Sequence, residues 1–169
     1  MIIHPPIADL KYKDNFLEDD LINHLEYTFL RVPHYYGHNK AARFNGTGVY
    51  FYNHELNLDD SLTQYLCVKV QKEFEQKLGF LRVYINVQHN NMDGDFHEDD
   101  GDMTVLLMVS KTLKKGSGQF EIEKNTKVAK VDFVKNRLIF FDARLKHRGT
   151  APKEKNEVRI TLAFKTKLL

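Results

Sequence analysis

The spacing of apolar residues along this chain changes at Gly79, and that change limits the folds open to it. Before Gly79, two stretches carry an apolar residue at about every fourth position, which predicts two amphipathic helices. The first covers Phe16 to Leu30 with its start at Asn15, and the second runs from residues 59–61 to Gly79, a usual helix stop. Both helices therefore precede the rest of the predicted fold.

After Gly79 the sequence predicts short β-strands. Apolar Leu81, Val83, Ile85 and Val87 alternate with polar residues, which gives this strand one apolar and one polar face. Further strands are predicted at 97–99, 104–109, 119–122, 128–131, 138–141 and 158–165. Two helices followed by seven or eight strands favour a mainly β fold, an antiparallel barrel or sandwich with the helices packed on one side. A length of 169 residues predicts a single domain over 1–169, with helical support at about 15–79 and a β core at about 80–166.

Two segments lack a clear period. Residues 1–14 contain two prolines and are interpreted as an edge strand or an extended arm. Residues 34–54 are rich in Gly, Asn and Tyr, which predicts loops around a short strand at Val49–Tyr52. The tyrosine-rich part, 35–52, is either a substrate lid or aromatic packing over the mouth of the barrel.

Composition excludes several classes of protein. Lys plus Arg number 25 against 23 for Asp plus Glu, so the net charge of +2 does not indicate a nucleic-acid or membrane-surface protein. Cys67 is the only cysteine, which favours a reducing compartment, the cytoplasm of a cell or of an infected host cell. The first residues do not form a signal peptide, and the longest apolar run, Val105 to Val109, is too short to span a bilayer.

Two histidines and an aspartate are candidate metal ligands. His97 and Asp99 stand two residues apart, so on an extended strand both side chains lie on one face. His147 follows a very apolar strand far downstream. Two histidines and one carboxylate form the facial set that holds a non-heme iron(II) and leaves three coordination positions open.

Arg159 is a candidate anion-binding residue because it lies in the apolar stretch Val158 to Phe164. An unpaired buried charge is costly, so this arginine needs an anionic partner. A guanidinium can bind a carboxylate through two parallel hydrogen bonds. A metal triad with an inward arginine is the arrangement needed by an oxygenase that uses a 2-oxo acid as cosubstrate.

Eight short segments then stand in a fixed order over about residues 80–166. They are Arg82-Val83-Tyr84-Ile85-Asn86, Asp93-Gly94, His97-x-Asp99, Thr104-Val105-Leu106-Leu107, Gly116-Ser117-Gly118-Gln119-Phe120, Asn136-Arg137-Leu138-Ile139-Phe140-Phe141-Asp142, His147-Arg148 and Val158-Arg159-Ile160-Thr161. This ordered set resembles the iron(II)/2-oxoglutarate-dependent oxygenases with a double-stranded β-helix (jelly-roll) core. The closest likeness is to the prolyl 4-hydroxylase-like branch, including its small phage-encoded members.

The resemblance implies a role for each matching residue. It makes the metal ligands, and hence the catalytic residues, His97, Asp99 and His147. It makes Arg159 the partner of the distal carboxylate of 2-oxoglutarate, with further hydrogen-bonding neighbours at Tyr84, Asn86, Gln88 and Thr161. The implied cofactors are Fe(II), 2-oxoglutarate and O2, with ascorbate as a candidate addition. The implied reaction hydroxylates an unactivated C–H bond of a prolyl or other peptidyl side chain and releases succinate and CO2.

The same resemblance bears on the partners. It favours a peptide or protein substrate over a small molecule. The stretch Arg159-x-Thr161-x-Ala163-x-Lys165 lacks the asparagine and second arginine that mark the alkylation-repair demethylases, which disfavours a nucleic-acid substrate. No membrane partner is expected, and the sequence predicts no oligomeric state.

Two alternatives remain open at this stage. One is a non-catalytic jelly-roll scaffold or sensor that binds the metal without turnover. The other is a zinc hydrolase that uses the same three ligands to activate water, in which Arg159 would have no role.

Overall fold

A computed structural model describes residues 10–36, 51–124 and 126–169. Within these ranges the chain forms two helices, α1 (Asp19–Phe29) and α2 (Ser61–Gln71). The strands are β1 (Lys11–Lys13), β2 (Tyr35–Tyr36), β3 (Tyr52–Leu56), β4 (Leu78–Gln88), β5 (Met103–Met108), β6 (Phe120–Lys124), β7 (Lys127–Val131), β8 (Leu138–Asp142), β9 (His147–Gly149) and β10 (Arg159–Leu168). Neither helix is long and apolar enough to span a membrane, nor is any other helix in the described part of the chain.

The strands form two antiparallel sheets. The large sheet has the order β1-β8-β5-β10-β4-β3-β2, and the small sheet has the order β7-β6-β9. In the large sheet the long strands β4 and β10 pair side by side, with Arg159 opposite Gln88 and Lys165 opposite Arg82. The predicted mainly β architecture with helices is confirmed, and the two sheets form a jelly-roll-like core.

Each face of the large sheet has its own apolar cluster. On one face, Ile160, Leu162 and Phe164 of β10 pack with Leu25 of α1 and Leu66 of α2. On the other face Ala163 belongs to a second cluster that includes residues of both sheets: Tyr84, Leu106, Met108, Leu113, Phe120, Ile122, Val131, Phe133, Ile139 and Phe141. Because side chains alternate along a strand, Arg159, Thr161 and Lys165 share the second face with Ala163.

The prediction for β4 is right except at its start. Val83, Ile85 and Val87 are buried on the helix side, as the alternation predicts. Leu81 does not join them and is 41% exposed. The pairing with β10 shifts register between Lys165 and Thr166, so one extra residue is inserted into β4 there and reverses the alternation before it.

The second helix starts where predicted but ends earlier. The Asp60 side chain accepts hydrogen bonds from the backbone N–H groups of Leu62 and Thr63, which makes it the N-cap. The helix ends at Gln71, and the prediction that it reaches Gly79 is wrong. The Gln71 amide donates to two carbonyl oxygens in the following turn and accepts from the N–H of Leu78, the first residue of β4. These bonds turn the chain from helix to strand before Gly79.

The N-terminal predictions differ in outcome. Residues 11–13 form an edge strand beside β8, as predicted, whereas residues 1–9 lie outside the described residues. The N-cap of α1 is Glu18 and not Asn15, whose φ of 54° places it in a left-handed turn before the helix. Most of the predicted strand at 49–52, and most of the segment proposed as a lid, also lie outside the described residues.

Candidate metal and carboxylate site

The three predicted metal ligands lie together at one end of the space between the sheets. One possible ligand atom from each of His97, Asp99 and His147 lies within 4.8 Å of the others. The predicted strand at 97–99 is wrong: His97 forms only an isolated bridge to His147, the first residue of β9. Two backbone hydrogen bonds of 3.0 and 2.9 Å join these histidines, and a third, of 2.8 Å, ties the N–H of Asp99 to the carbonyl of Ala143.

The hydrogen bonds of the two imidazoles place the proton of each ring on Nδ1. Nδ1 of His97 lies 2.8 Å from the carbonyl oxygen of Asp95, and Nδ1 of His147 lies 2.7 Å from that of Leu145. A ring nitrogen next to a carbonyl must carry the proton, so the lone pair is on Nε2. The Nε2 atoms of His97 and His147 lie 3.6 and 3.1 Å from oxygens of Asp99.

Burial keeps both imidazoles neutral. It lowers the pKa of His97 to about 4, with a smaller contribution from neighbouring His147, and it lowers the pKa of His147 to about 4. The ring of His147 packs against Phe141 and Phe120, with centroids 4.5 and 5.8 Å away. Neutral imidazoles and a carboxylate converge here, and this donor set fits iron(II) or a similar divalent transition metal.

A lysine that was not among the predicted site residues, Lys165, contacts the candidate ligand Asp99. Oδ2 of Asp99 accepts a hydrogen bond of 2.7 Å from the Thr104 hydroxyl and contacts the ammonium of Lys165, which is 2% exposed. Burial and the nearby Arg82 guanidinium lower the pKa of Lys165. The contact with the Asp99 carboxylate favours the charged ammonium. The two-residue period of the strand could have predicted this position, because residues 159 and 165 lie on the same face.

Arg159 lies at the start of the same strand, also 2% exposed. Its Nε donates to the carbonyl of Gly118 (2.9 Å) and its Nη1 donates to the side-chain oxygen of Gln88 (2.6 Å). Among the described residues no acidic side chain forms an ion pair with it. Burial lowers the pKa of Arg159 to about 9, which still leaves the guanidinium charged at neutral pH. A Cβ added at Gly149 would lie 2.7 Å from Nη1, so this glycine gives the guanidinium its space.

A narrow cleft of about 40 Å³ joins the two cations. Its walls include every residue assigned above to cosubstrate binding, namely Arg159, Tyr84, Asn86, Gln88 and Thr161. Oδ1 of Asn86 and Oγ1 of Thr161 are buried there without a hydrogen-bond partner among the described residues. A buried cation without an acid, beside two unsatisfied polar atoms, suits an anionic ligand with oxygen atoms. The cleft thus fits a 2-oxo acid near the candidate metal ligands.

Tyr84 has a different environment from the other predicted cosubstrate residues. Its ring lies beside the Lys165 ammonium and the Arg82 guanidinium, 5.5 and 5.7 Å from its centroid. Burial raises the pKa of Tyr84, so its hydroxyl stays protonated and can donate a hydrogen bond.

The comparisons with known proteins rest on structure. The chain matches no protein-family model and no curated protein sequence. A prolyl-4-hydroxylase from Pseudomonas putida superposes with a TM-score of 0.73 at 13% identity, over 92% of this chain and 91% of that one. A prolyl hydroxylase from Trichoplax adhaerens, in complex with a hypoxia inducible factor peptide fragment, gives 0.72 at 15% identity, over 93% and 82%.

A third similar structure binds a different ligand. HygX from Streptomyces hygroscopicus, with nickel, 2-oxoglutarate and hygromycin B bound, gives a TM-score of 0.70 at 10% identity, over 94% of this chain and 82% of HygX. Identities this low establish the fold alone. Prolyl hydroxylases and other 2-oxoglutarate/iron(II) oxygenases are the structural neighbours of this chain, and the jelly-roll core predicted from its sequence is confirmed.

Proposed function

We propose that this protein is an iron(II)- and 2-oxoglutarate-dependent dioxygenase that hydroxylates an unactivated C–H bond and releases succinate and CO2. One observation carries the proposal. A single cleft has three convergent metal-ligand atoms at one end and, at the other, a buried arginine whose partners are all uncharged. A zinc hydrolase gives that arginine no function.

Each residue of the cleft has a proposed role. His97, Asp99 and His147 would hold the iron through Nε2 atoms and a carboxylate oxygen. Arg159 would bind the distal carboxylate of 2-oxoglutarate, and Thr161 would supply a further hydrogen bond. Bound iron with 2-oxoglutarate and O2 supplies the oxidising chemistry, while the protein orients the cosubstrate and limits water access. Tyr84 and Asn86 complete the polar wall.

We propose a prolyl or other peptidyl side chain as the substrate. Two of the similar structures are prolyl hydroxylases, and one of these was solved with a peptide bound. The HygX structure contains hygromycin B, so a small-molecule substrate is the second candidate. Cytoplasmic location stays a prediction from the single cysteine, Cys67, and a single domain stays a prediction from the length.

Anaerobic titration tests the proposal directly. Iron(II) and then 2-oxoglutarate are added, and the visible charge-transfer band of the chelate is recorded for wild type and Arg159→Met. Loss of a buried charged hydrogen bond is worth about 1.5–3 kcal/mol. The variant should therefore need about 10- to 100-fold more 2-oxoglutarate for half-maximal absorbance. Arg31→Met, at an exposed arginine just after the end of α1, is the matched control and should titrate like wild type.

Three results would contradict the proposal. Wild type with bound iron but no band would show that the site does not accept a 2-oxo acid. A band without any O2-dependent conversion of 2-oxoglutarate to succinate, with a panel of proline-containing peptides present, would favour the scaffold. Tight zinc binding with oxygen-independent hydrolysis would favour the hydrolase.

A further inference from the structure

We propose that Lys165 and Thr104 are positioning residues that make Asp99 a one-oxygen ligand. Both hold Oδ2 of Asp99, which leaves only Oδ1 for a metal. The inference rests on the proposed function, because it concerns how many coordination positions stay open for the 2-oxo acid.

The two oxygens of Asp99 are unequal only because of these donors. Oδ1 lies 3.6 Å from Nε2 of His97, and Oδ2 lies 3.1 Å from Nε2 of His147, so both oxygens face the candidate ligand atoms. Oδ2 accepts from the Thr104 hydroxyl at 2.7 Å and contacts the Lys165 ammonium. Among the described residues, no group donates a hydrogen bond to Oδ1 within hydrogen-bond distance. Without the two donors, the carboxylate could present both oxygens to one metal ion.

The two donors are built into the sheet. Thr104 on β5 and Lys165 on β10 are directly opposite each other in the pairing of these strands. Their side chains are 1–2% exposed, and the ammonium lies 3.3 Å from the Thr104 hydroxyl. Water therefore cannot readily replace either donor, and the position of both is set by the strand register.

The number of bound oxygens decides what else can bind. An octahedral metal with two histidines and one carboxylate oxygen keeps three positions open. A carboxylate that chelates through both oxygens occupies a fourth position, and a 2-oxo acid, which itself needs two, then competes with Asp99. The Lys165 ammonium beside Oδ2 prevents this chelation through both oxygens. Asp99 still keeps the negative charge that the metal requires.

A purely structural role for Lys165 makes a different prediction. A buried ion pair between β10 and the segment that contains Asp99 would affect the stability of the fold. It would not change how the metal-loaded protein responds to 2-oxoglutarate. Arg82 lies opposite Lys165 on β4 and pairs with Asp100 at 2.6 Å.

The test compares Lys165→Met with Lys167→Met. Lys167 is on the same strand and faces the same side of it, but its side chain is exposed, so it is the matched control. Both variants are titrated with cobalt(II), and then with iron(II) and 2-oxoglutarate without oxygen. Lys165→Met should still bind one metal ion, but should need at least about tenfold more 2-oxoglutarate for the charge-transfer band. A crystal structure of the cobalt-loaded variant should show both oxygens of Asp99 on the metal.

Thr104→Val is the second variant, and it removes one donor without a change of charge. It should shift the 2-oxoglutarate titration in the same direction, by less. The inference is overturned if Lys165→Met titrates like Lys167→Met with one Asp99 oxygen on the metal. If Lys165→Met does not fold, an unchanged titration in Thr104→Val overturns it. Failure of the proposed function is distinct, because wild type and Lys167→Met would then show no band.

Discussion

The two ends of β10 hold buried cations in opposite situations. Arg159 and Lys165 lie on the same face of one strand, and each is 2% exposed. Lys165 meets the carboxylate of Asp99, whereas Arg159 meets a carbonyl oxygen and the amide oxygen of Gln88. The charge at one end is neutralised within the chain, and the charge at the other end is not.

This difference separates two uses of a buried charge. An unpaired buried ion costs several kcal/mol, so it persists only where something other than stability retains it. The Arg159 end has a polar wall with unsatisfied atoms and a glycine that leaves space, as expected of a ligand pocket. The Lys165 end has a full set of partners, as expected where the position of a carboxylate has to be fixed.

Asp99→Ala should have the largest effect, because it leaves Lys165 without an acidic partner, as Arg159 is in the wild type. We expect loss of metal binding and a fall of about 3–5 kcal/mol in the free energy of unfolding, the cost of breaking a buried pair. Urea denaturation of the metal-free protein measures the second effect. Asp100→Ala, at a carboxylate that is 58% exposed, is the control. Adding Lys165→Met to Asp99→Ala should restore part of the stability and none of the metal binding. Equal losses in Asp99→Ala and Asp100→Ala would contradict this interpretation.

Gly149→Ala should affect only the Arg159 end of the cleft, and so separate cosubstrate binding from metal binding. A Cβ at this position would lie 2.7 Å from Nη1, so the guanidinium must move from its place in the cleft. The 2-oxoglutarate concentration for half-maximal chelation should rise about tenfold, with cobalt(II) affinity unchanged. Gly79→Ala is the control, since a Cβ there meets only the flexible side chain of Leu169 at 3.3 Å. An equal loss of cobalt affinity in Gly149→Ala would show that the two ends are not independent.

The smallest expected effect is the pH dependence of stability that comes from the two buried, neutral histidines beside Asp99. Burial lowers the pKa of His97 and of His147 to about 4, whereas an unfolded histidine titrates near 6.5. As pH falls below about 6.5, the unfolded chain binds protons that the folded chain does not, so the stability of the metal-free protein falls until about pH 4. Between pH 7 and pH 6 each histidine should contribute a loss of about 0.7 kcal/mol. Urea denaturation at both pH values should show a smaller loss in His147→Gln. The same loss in wild type and variant would mean that the fold does not lower the pKa of His147.

Local pattern predicted most of the polar residues that line the cleft. The alternation of β4 places Tyr84, Asn86 and Gln88 on one face, and the alternation of β10 adds Arg159 and Thr161. These predictions succeeded because the period of a strand is independent of what packs against it. Lys165 follows from the same alternation, but a lysine among the charged residues near the C-terminal end is also typical of a solvent-exposed face, and only the contact with Asp99 shows its role.

The His97–Asp99 prediction brought these two side chains together, but for an incorrect reason. Their spacing suggested a regular strand, but only His97 pairs, through an isolated bridge to His147. The position of Asp99 depends on a backbone hydrogen bond to Ala143, far along the chain. No local pattern contains that contact.

The sequence by itself determined the order of helices and strands, the inward face of the central strands and the residue types at the cleft. It could do so because propensity and periodicity act over a few neighbouring residues. Only the tertiary structure decided the end of α2, the bulge at Leu81 and the partner of each cation. Asp99 reaches Lys165 across a long stretch of chain, through the register of β5 against β10. Whether a buried charge is paired depends on contacts between distant segments, and those contacts form only when the two sheets pack.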